Sequence, residues 1–469
     1  MKKFLVLFLV WLSAGVSLFA QTTPPPYVPT VIPPSPNAST LMKFADVPVS
    51  PYTGASDITV PIYTIQAKGL SIPVELAYHT GGIRLGEEAG LVGLGWSLVA
   101  DATISRTVHD KDDFLNPYYG PTAKGDLGDL QYANSSGNNF NVNKYVFCFA
   151  CSQSVNFASG VSNDLSNLFS APNTGDAELD TYSYNIFGKS GKFFITPTGI
   201  VVMQKQENIK IQLIHTGGIN YVFQVTDDSG NNYYFYQTEY YYPHTGTPQV
   251  SSWHVSTVVT QQKDSVRFTY AVPNAITVAQ DKHESYRAGC QVHGWSYSSD
   301  GSTSYDNVNL QTIDYKDGQV KFYYGNLFRQ DLQSANKLDS IQIYSKTTAG
   351  LKYLKSHKLY YDYFAPFGAA SDSLELKRLR LDSVKEFSGG TALRPYQFTY
   401  TNINGPYLDK HSFAIDHWGY YNGAGNTTFI PTYLAELDPT FDLGAPGIEY
   451  YSFTGANRET DTSRKCLYL

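Results

Sequence analysis

The sequence predicts an all-β, antiparallel fold, with hairpins and meanders gathered into β-sandwich or barrel-like sheets and one loop-rich insertion. Three observations carry that prediction. Apolar and polar residues alternate with period two in segment after segment, the pattern of half-buried strands. A polar or glycine turn recurs before an aromatic strand through much of residues 177–400. No window longer than about a dozen residues keeps the 3.6-residue period of an amphipathic helix.

Composition agrees and narrows the function. Aromatic residues make up 15% of the 469 positions, with 38 tyrosines. Charged residues make up 16%, against about 25% in an average soluble protein. A disordered chain would show few aromatics and much charge. The net charge of −7 and isoelectric point near 5.8 argue against a nucleic-acid partner.

The elements follow in chain order. Residues 1–20 read as a secretory signal peptide: Lys2 and Lys3, then an apolar run from Phe4 to Val16, then Ser17 to Ala20 before Gln21. The expected location is therefore secreted, extracellular or on the outer cell surface. No later stretch reaches the roughly 18 apolar residues of a membrane-spanning helix. Residues 21–36 form a proline-rich leader, expected as an extended polyproline spacer. Residues 37–114 form an N-terminal β domain. Within it, 57–65 and 70–78 alternate apolar with polar, and Pro61 and Pro73 place these strands at edges or strand starts.

Residues 115–176 are rich in Asn, Ser, Gly and Asp and read as the loop-rich insertion. Residues 177–400 form a hairpin-rich domain. Its turns lie before Phe193, Tyr233, Val266 and Val320, because Asp and Gly tolerate turn geometry and the next residues pair back. Residues 401–469 form a C-terminal β or irregular segment.

Candidate chemistry is sparse. Gly-x-Ser-x-Gly, His-Glu-x-x-His and Gly-x-Gly-x-x-Gly are absent. Gly188-Lys-Ser190 comes nearest to a phosphate loop but has Ser183 where the first glycine belongs. His109 to Asp113 has the carboxylates for a hard cation without the loop spacing, and reads as a solvated loop. Glu87 and Glu88 resemble an acid/base pair, but neighbours on a strand point apart. Asp416-His417 lacks a nucleophile. Cys148 and Cys151 are candidates for a disulfide that needs a local turn, or for zinc with His283, Cys290 and His293. Tyr234, Tyr236 and Tyr240 have two readings: glycan contact, or cross-strand packing. No cofactor is expected.

Several segments together resemble one family. Tyr52-Thr-Gly54, 58–63, 72–82 and Glu87 to Ser97, which includes Gly93-Leu-Gly95-Trp96, look like the N-terminal region of secreted Rhs/YD-repeat proteins of the Bacteroidetes. The same run, closed by Ile104-Ser-Arg106, is similar to the start of insecticidal toxin-complex B subunits. Ser252-Trp253-His-Val-Ser256, Arg329-Gln-Asp-Leu332 and Asp416-His-Trp418-Gly419 follow in the same order. The resemblance implies structural roles for these residues, with Gly93 and Gly95 making room for the Trp96 indole.

In that family the region precedes YD repeats, a hollow β-shell and a variable toxin. This chain ends at Leu469, so the resemblance implies a leader region truncated before the repeats, or else a stand-alone relic of that region. The expected function is a non-enzymatic β-scaffold or surface-interaction protein, its partners surface glycans or other cell-surface proteins. The alternative is a carbohydrate-binding module or glycan hydrolase of the outer surface.

Overall fold

The computed structural model describes residues 31–32, 35–37, 58–79, 84–109, 112–114, 179–196, 199–217, 220–243, 247–278, 282–287, 294–299, 303–364, 374–400, 409–429, 433–436 and 450–453. The signal peptide, the insertion at 115–176 and Cys148, Cys151, Cys290, His293 and Cys466 lie outside them.

The chain is all-β, and every strand pairing among the described residues is antiparallel. The described strands form five sheets, of which three carry the architecture, and none closes into a barrel. A three-stranded sheet holds Ile58–Ala67, Leu70–Tyr78 and Trp96–Val99. A nine-stranded sheet is centred on Gln249–His254, Thr103–His109 and Thr181–Ile186. A twelve-stranded meander runs from Lys210–Gly217 to Arg378–Ser388 and its short partners.

The turn chemistry places hairpins where the sequence anticipates them. Thr181–Ile186 pairs with Lys189–Ile195, Asn220–Thr226 with Asn232–Phe235, Thr257–Val259 with Ser265–Ala271, and Asn309–Tyr315 with Gly318–Tyr324. Pro61 lies on an edge strand. Pro73 lies in the middle strand of its sheet, but outside the stretch from Glu75 to Tyr78 that pairs with Trp96–Val99. Its missing N–H therefore breaks no ladder on that side.

The proline-rich leader departs from a pure spacer at one point. Val31 and Ile32 pair with His109 and Val108, so the backbone there joins a ladder that polyproline geometry would leave unmade.

One hydrophobic core runs from Val60 to Tyr400 and includes Trp96, Tyr182, Phe223, Trp253, Phe322 and Leu381. It joins the N-terminal strands to the hairpin-rich region. The reason lies in three corners. Tyr236 alone separates a strand of the meander, Asn232–Phe235, from one of the nine-stranded sheet, Gln237–Tyr242. Val255 and Ser256 make the reverse switch. Residues 100–102 lead from the three-stranded to the nine-stranded sheet. Val255 N donates to Ala102 O at 2.9 Å, and Ser256 N donates to Tyr234 O at 2.7 Å, so the corners are stitched together.

Candidate functional site

Several charged residues of the motif segments, Arg106, Arg329, Asp331 and Asp416, are buried. Arg106 lies on Thr103–His109 with its side chain fully buried. Its Nη1 and Nη2 donate to Asp112 Oδ1 and Oδ2 at 2.8 and 2.7 Å, a bidentate pair. Asp180 Oδ2 is 3.6 Å from Nη1. The guanidinium lies 4.9 Å from the Phe114 ring centre and 6.0 Å from that of Trp253. Trp253 Nε1 donates to Tyr221 O at 2.8 Å.

This corrects the reading of 109–113 as a solvated loop. Asp112 and Asp113 are buried, because the buried guanidinium needs a counter-charge and Asp113 Oδ2 accepts from Asp180 N at 3.0 Å. Burial pushes the Asp180 carboxyl up to about 7, against the pull of Arg106 and the His109 N–H. Burial alone would lower the basicity of Arg106, but Asp112 and Asp180 outweigh it and hold the cation.

A second clamp holds the Gly93–Trp96 turn. Arg329 Nε and Nη2 donate to Asp331 Oδ1 and Oδ2 at 2.9 and 2.7 Å, and Nη1 donates to Gly90 O at 2.9 Å. Asp331 Oδ2 accepts from Leu379 N, and Leu94 N donates to Leu379 O at 2.8 Å. Lys410 Nζ bridges Glu88 Oε2 at 2.6 Å and Asp331 O at 2.7 Å. Glu88 is thus tied to a lysine rather than teamed with Glu87.

Gly93 has φ +104° and Gly95 φ +77°. A Cβ on Gly93 would lie 3.0 Å from Leu381 N. The absent side chain is what lets the backbones meet there.

Asp416 organises a turn. Its Oδ1 accepts from Trp418 N and Tyr420 N, both at 2.9 Å, and Gly419 O accepts from Leu85 N at 3.0 Å. Trp418 is 61% exposed, so it differs from Trp96 and Trp253, which are core residues. Tyr234 and Tyr236 stand 5.7 Å apart by ring centres, with Tyr236 exposed. Tyr240 lies on the other sheet, where its N–H donates to Asp306 Oδ2.

A polar junction that no sequence motif points to forms where the corners meet. His254 Nδ1 donates to Asp101 Oδ2 at 3.1 Å, and its Nε2 donates to Glu239 Oε2 at 3.2 Å. Ser252 Oγ donates to the same Glu239 oxygen at 2.9 Å. Tyr270 Oη donates to Asp101 Oδ2 at 3.0 Å. Two carboxylates facing two ring nitrogens require both to donate, so the ring is an imidazolium. Burial opposes that charge, but the hydrogen bonds from His254 to Asp101 and Glu239 win and lift its pKa to about 9.

Beside it lies a cavity of about 60 Å³, lined in part by Ser97, Asp101, His254, Tyr270 and Tyr324. It has room for water-sized guests. The one sequence signal is His254 itself, inside Ser252–Ser256. Its partners lie 15 and 153 residues away, and no local pattern names them. Among the described residues no group of three or more His, Cys, Asp or Glu is placed to hold a metal ion.

No protein-family model matches the chain, and no curated protein matches it. Among solved structures, the crystal structure of TcdB2-TccC3 is similar over 87% of this chain and 17% of that chain, at 10% identity and a TM-score of 0.39. The N-terminal domain of the effector protein SpvB from Salmonella typhimurium strain LT2 is similar over 71% of this chain and 99% of that one, at 13% identity and a TM-score of 0.34. The Photorhabdus luminescens Tc holotoxin pore is similar over 76% of this chain and 16% of that one, at 12% identity and a TM-score of 0.36.

Proposed function

We propose that this chain is a secreted, non-enzymatic β-scaffold of the Rhs/YD-repeat type, the leader region of a toxin-shell-type protein. One observation carries the reading. The charged members of the segments shared with that family, Arg106, Arg329 and Asp416, direct their hydrogen bonds to the protein itself. Arg106 and Arg329 tie their strands and turns to Asp180 and Gly90, far away in sequence, and Asp416 fixes its own turn. Buried charges paired in this way rigidify the frame that holds them.

The test is a turnover screen of the purified protein on glycan and peptide panels. No turnover is expected. Turnover abolished by a single carboxylate substitution would overturn the reading. A downstream reading frame that continues into YD repeats is the expected genomic context for a leader region.

A second reading, glycan binding, is favoured by the exposed Tyr236 ring beside Tyr234. Glycan-array binding lost in Tyr236→Ala would support it.

A further inference from the structure

The twelve-stranded meander buries one face and exposes the other. On four adjacent strands, Gly318–Tyr324, Leu338–Thr347, Gly350–Phe364 and Arg378–Ser388, Val320, Phe322, Ile341, Ile343, Leu359 and Val384 belong to the core. The alternate residues must therefore face outward.

Their identity is uneven in charge. One outward row, read across the strands, is Tyr323, Ser340, Lys358, Lys385. The next is Lys321, Gln342, Ser356, Phe387. Neither row contains a carboxylate. Asp314, on the neighbouring strand, is taken by Gln319 and Thr312.

The lysines sit on rings. Lys321 Nζ is 5.1 Å from the Tyr344 ring centre, Lys358 Nζ is 5.4 Å from Tyr360, and Lys385 Nζ is 5.7 Å from Phe387. A ring orients an ammonium without neutralising it. Among the described residues these three lysines form no ion pair, whereas Lys355 nearby is matched to Glu386.

Lys358 and Lys385 are direct cross-strand partners. Like charges placed opposite one another destabilise a sheet. A fold selected for stability alone would put a carboxylate at one of them. Tyr323 ends the row, Tyr360 lies beside it on the strand of Lys358, and both are exposed.

We infer that this face binds an acidic polysaccharide, a polymer of uronate or sulfated sugars. Four strands span about 14 Å, at about 4.8 Å per step, wide enough for a short run of sugar rings. Carboxylates or sulfates meet the lysines, and the sugar C–H faces lie on the exposed tyrosines. The cations in both rows are lysine, a point charge, rather than the arginine fork suited to bidentate phosphate. The inference rests on the reading that the protein works outside the cell.

The full chain should bind polygalacturonate at low salt and release it at high salt, with neutral dextran as the control. The double variant Lys358→Gln, Lys385→Gln should bind roughly tenfold more weakly. Its thermal midpoint without ligand should stay level or rise, because the opposed charges are gone. Tyr360→Ala should also weaken binding.

Failure of the wild type to bind polygalacturonate at low salt, or equal binding by the double variant, would overturn the inference. So would tighter capture of a DNA oligonucleotide or of phosphatidylglycerol vesicles through the same lysines. Cleavage of the polymer would overturn the scaffold reading and leave this surface standing. No binding by the wild type, together with no turnover, would overturn the surface alone.

Discussion

Trp96 Nε1 donates a 2.8 Å hydrogen bond to Tyr400 Oη, across 304 residues of sequence. Tyr400 Oη in turn donates to Leu381 O at 2.6 Å. The indole of the Gly-Leu-Gly-Trp turn is thereby tied to the far end of the meander. Tyr400→Phe removes both bonds and leaves a buried indole N–H without its acceptor. The expected loss is about 1–3 kcal/mol. A lower denaturation midpoint with an unchanged slope on urea unfolding would show it.

The Arg106 cage should be far more sensitive. Arg106→Met strands the buried carboxylates of Asp112 and Asp180. Breaking a buried pair from one side is expected to cost about 3–5 kcal/mol. Adding Asp112→Asn to the same variant should recover part of that loss, since the uncompensated charge is what hurts. A double variant no more stable than Arg106→Met would argue that packing, not charge, is the main loss.

His254 predicts a pH profile. Its ordinary pKa of 6.5 is raised to about 9 in the folded protein by Asp101 and Glu239. The folded state therefore holds a proton that the unfolded state has released between those values. Its stabilisation is full below about 6.5 and is lost as pH rises through about 9, up to about 3 kcal/mol in all. Chemical denaturation across that window should show the decline. His254→Gln should flatten the part of the profile due to this group.

Crowding and strain separate at two glycines. Gly93→Ala combines a φ of +104° with a Cβ pressed to 3.0 Å against Leu381 N. About 3 kcal/mol or more is expected. Gly199→Ala has φ +77° but open space around the new carbon, so about 1 kcal/mol is expected. Equal losses at the two sites would show that the close backbone approach at Gly93 contributes little.

Much of the fold is written locally. Alternation and turn residues name the hairpins before Phe193, Tyr233, Val266 and Val320, because a hairpin needs only neighbours in sequence. The same local logic misjudged Asp112 and Asp113. A run of charges looks solvated until the Arg106 guanidinium, on the strand just before it, claims it. His254 shows the same limit. Its ring lies in a segment that sequence reading singles out, yet its chemistry belongs to Asp101 and Glu239.

The sequence by itself determined the all-β class, the hairpin turns and which strand faces are apolar. Those follow from period-two patterning and backbone preferences, which act over a few residues. Only the tertiary structure decided which charges are buried and paired, where the three sheets meet, and that Lys358 opposes Lys385. Register and contacts between residues far apart in sequence, such as His254 with Asp101, settle these facts, and even the short-range pair of Arg106 with Asp112 shows only once the strand and its following turn are placed.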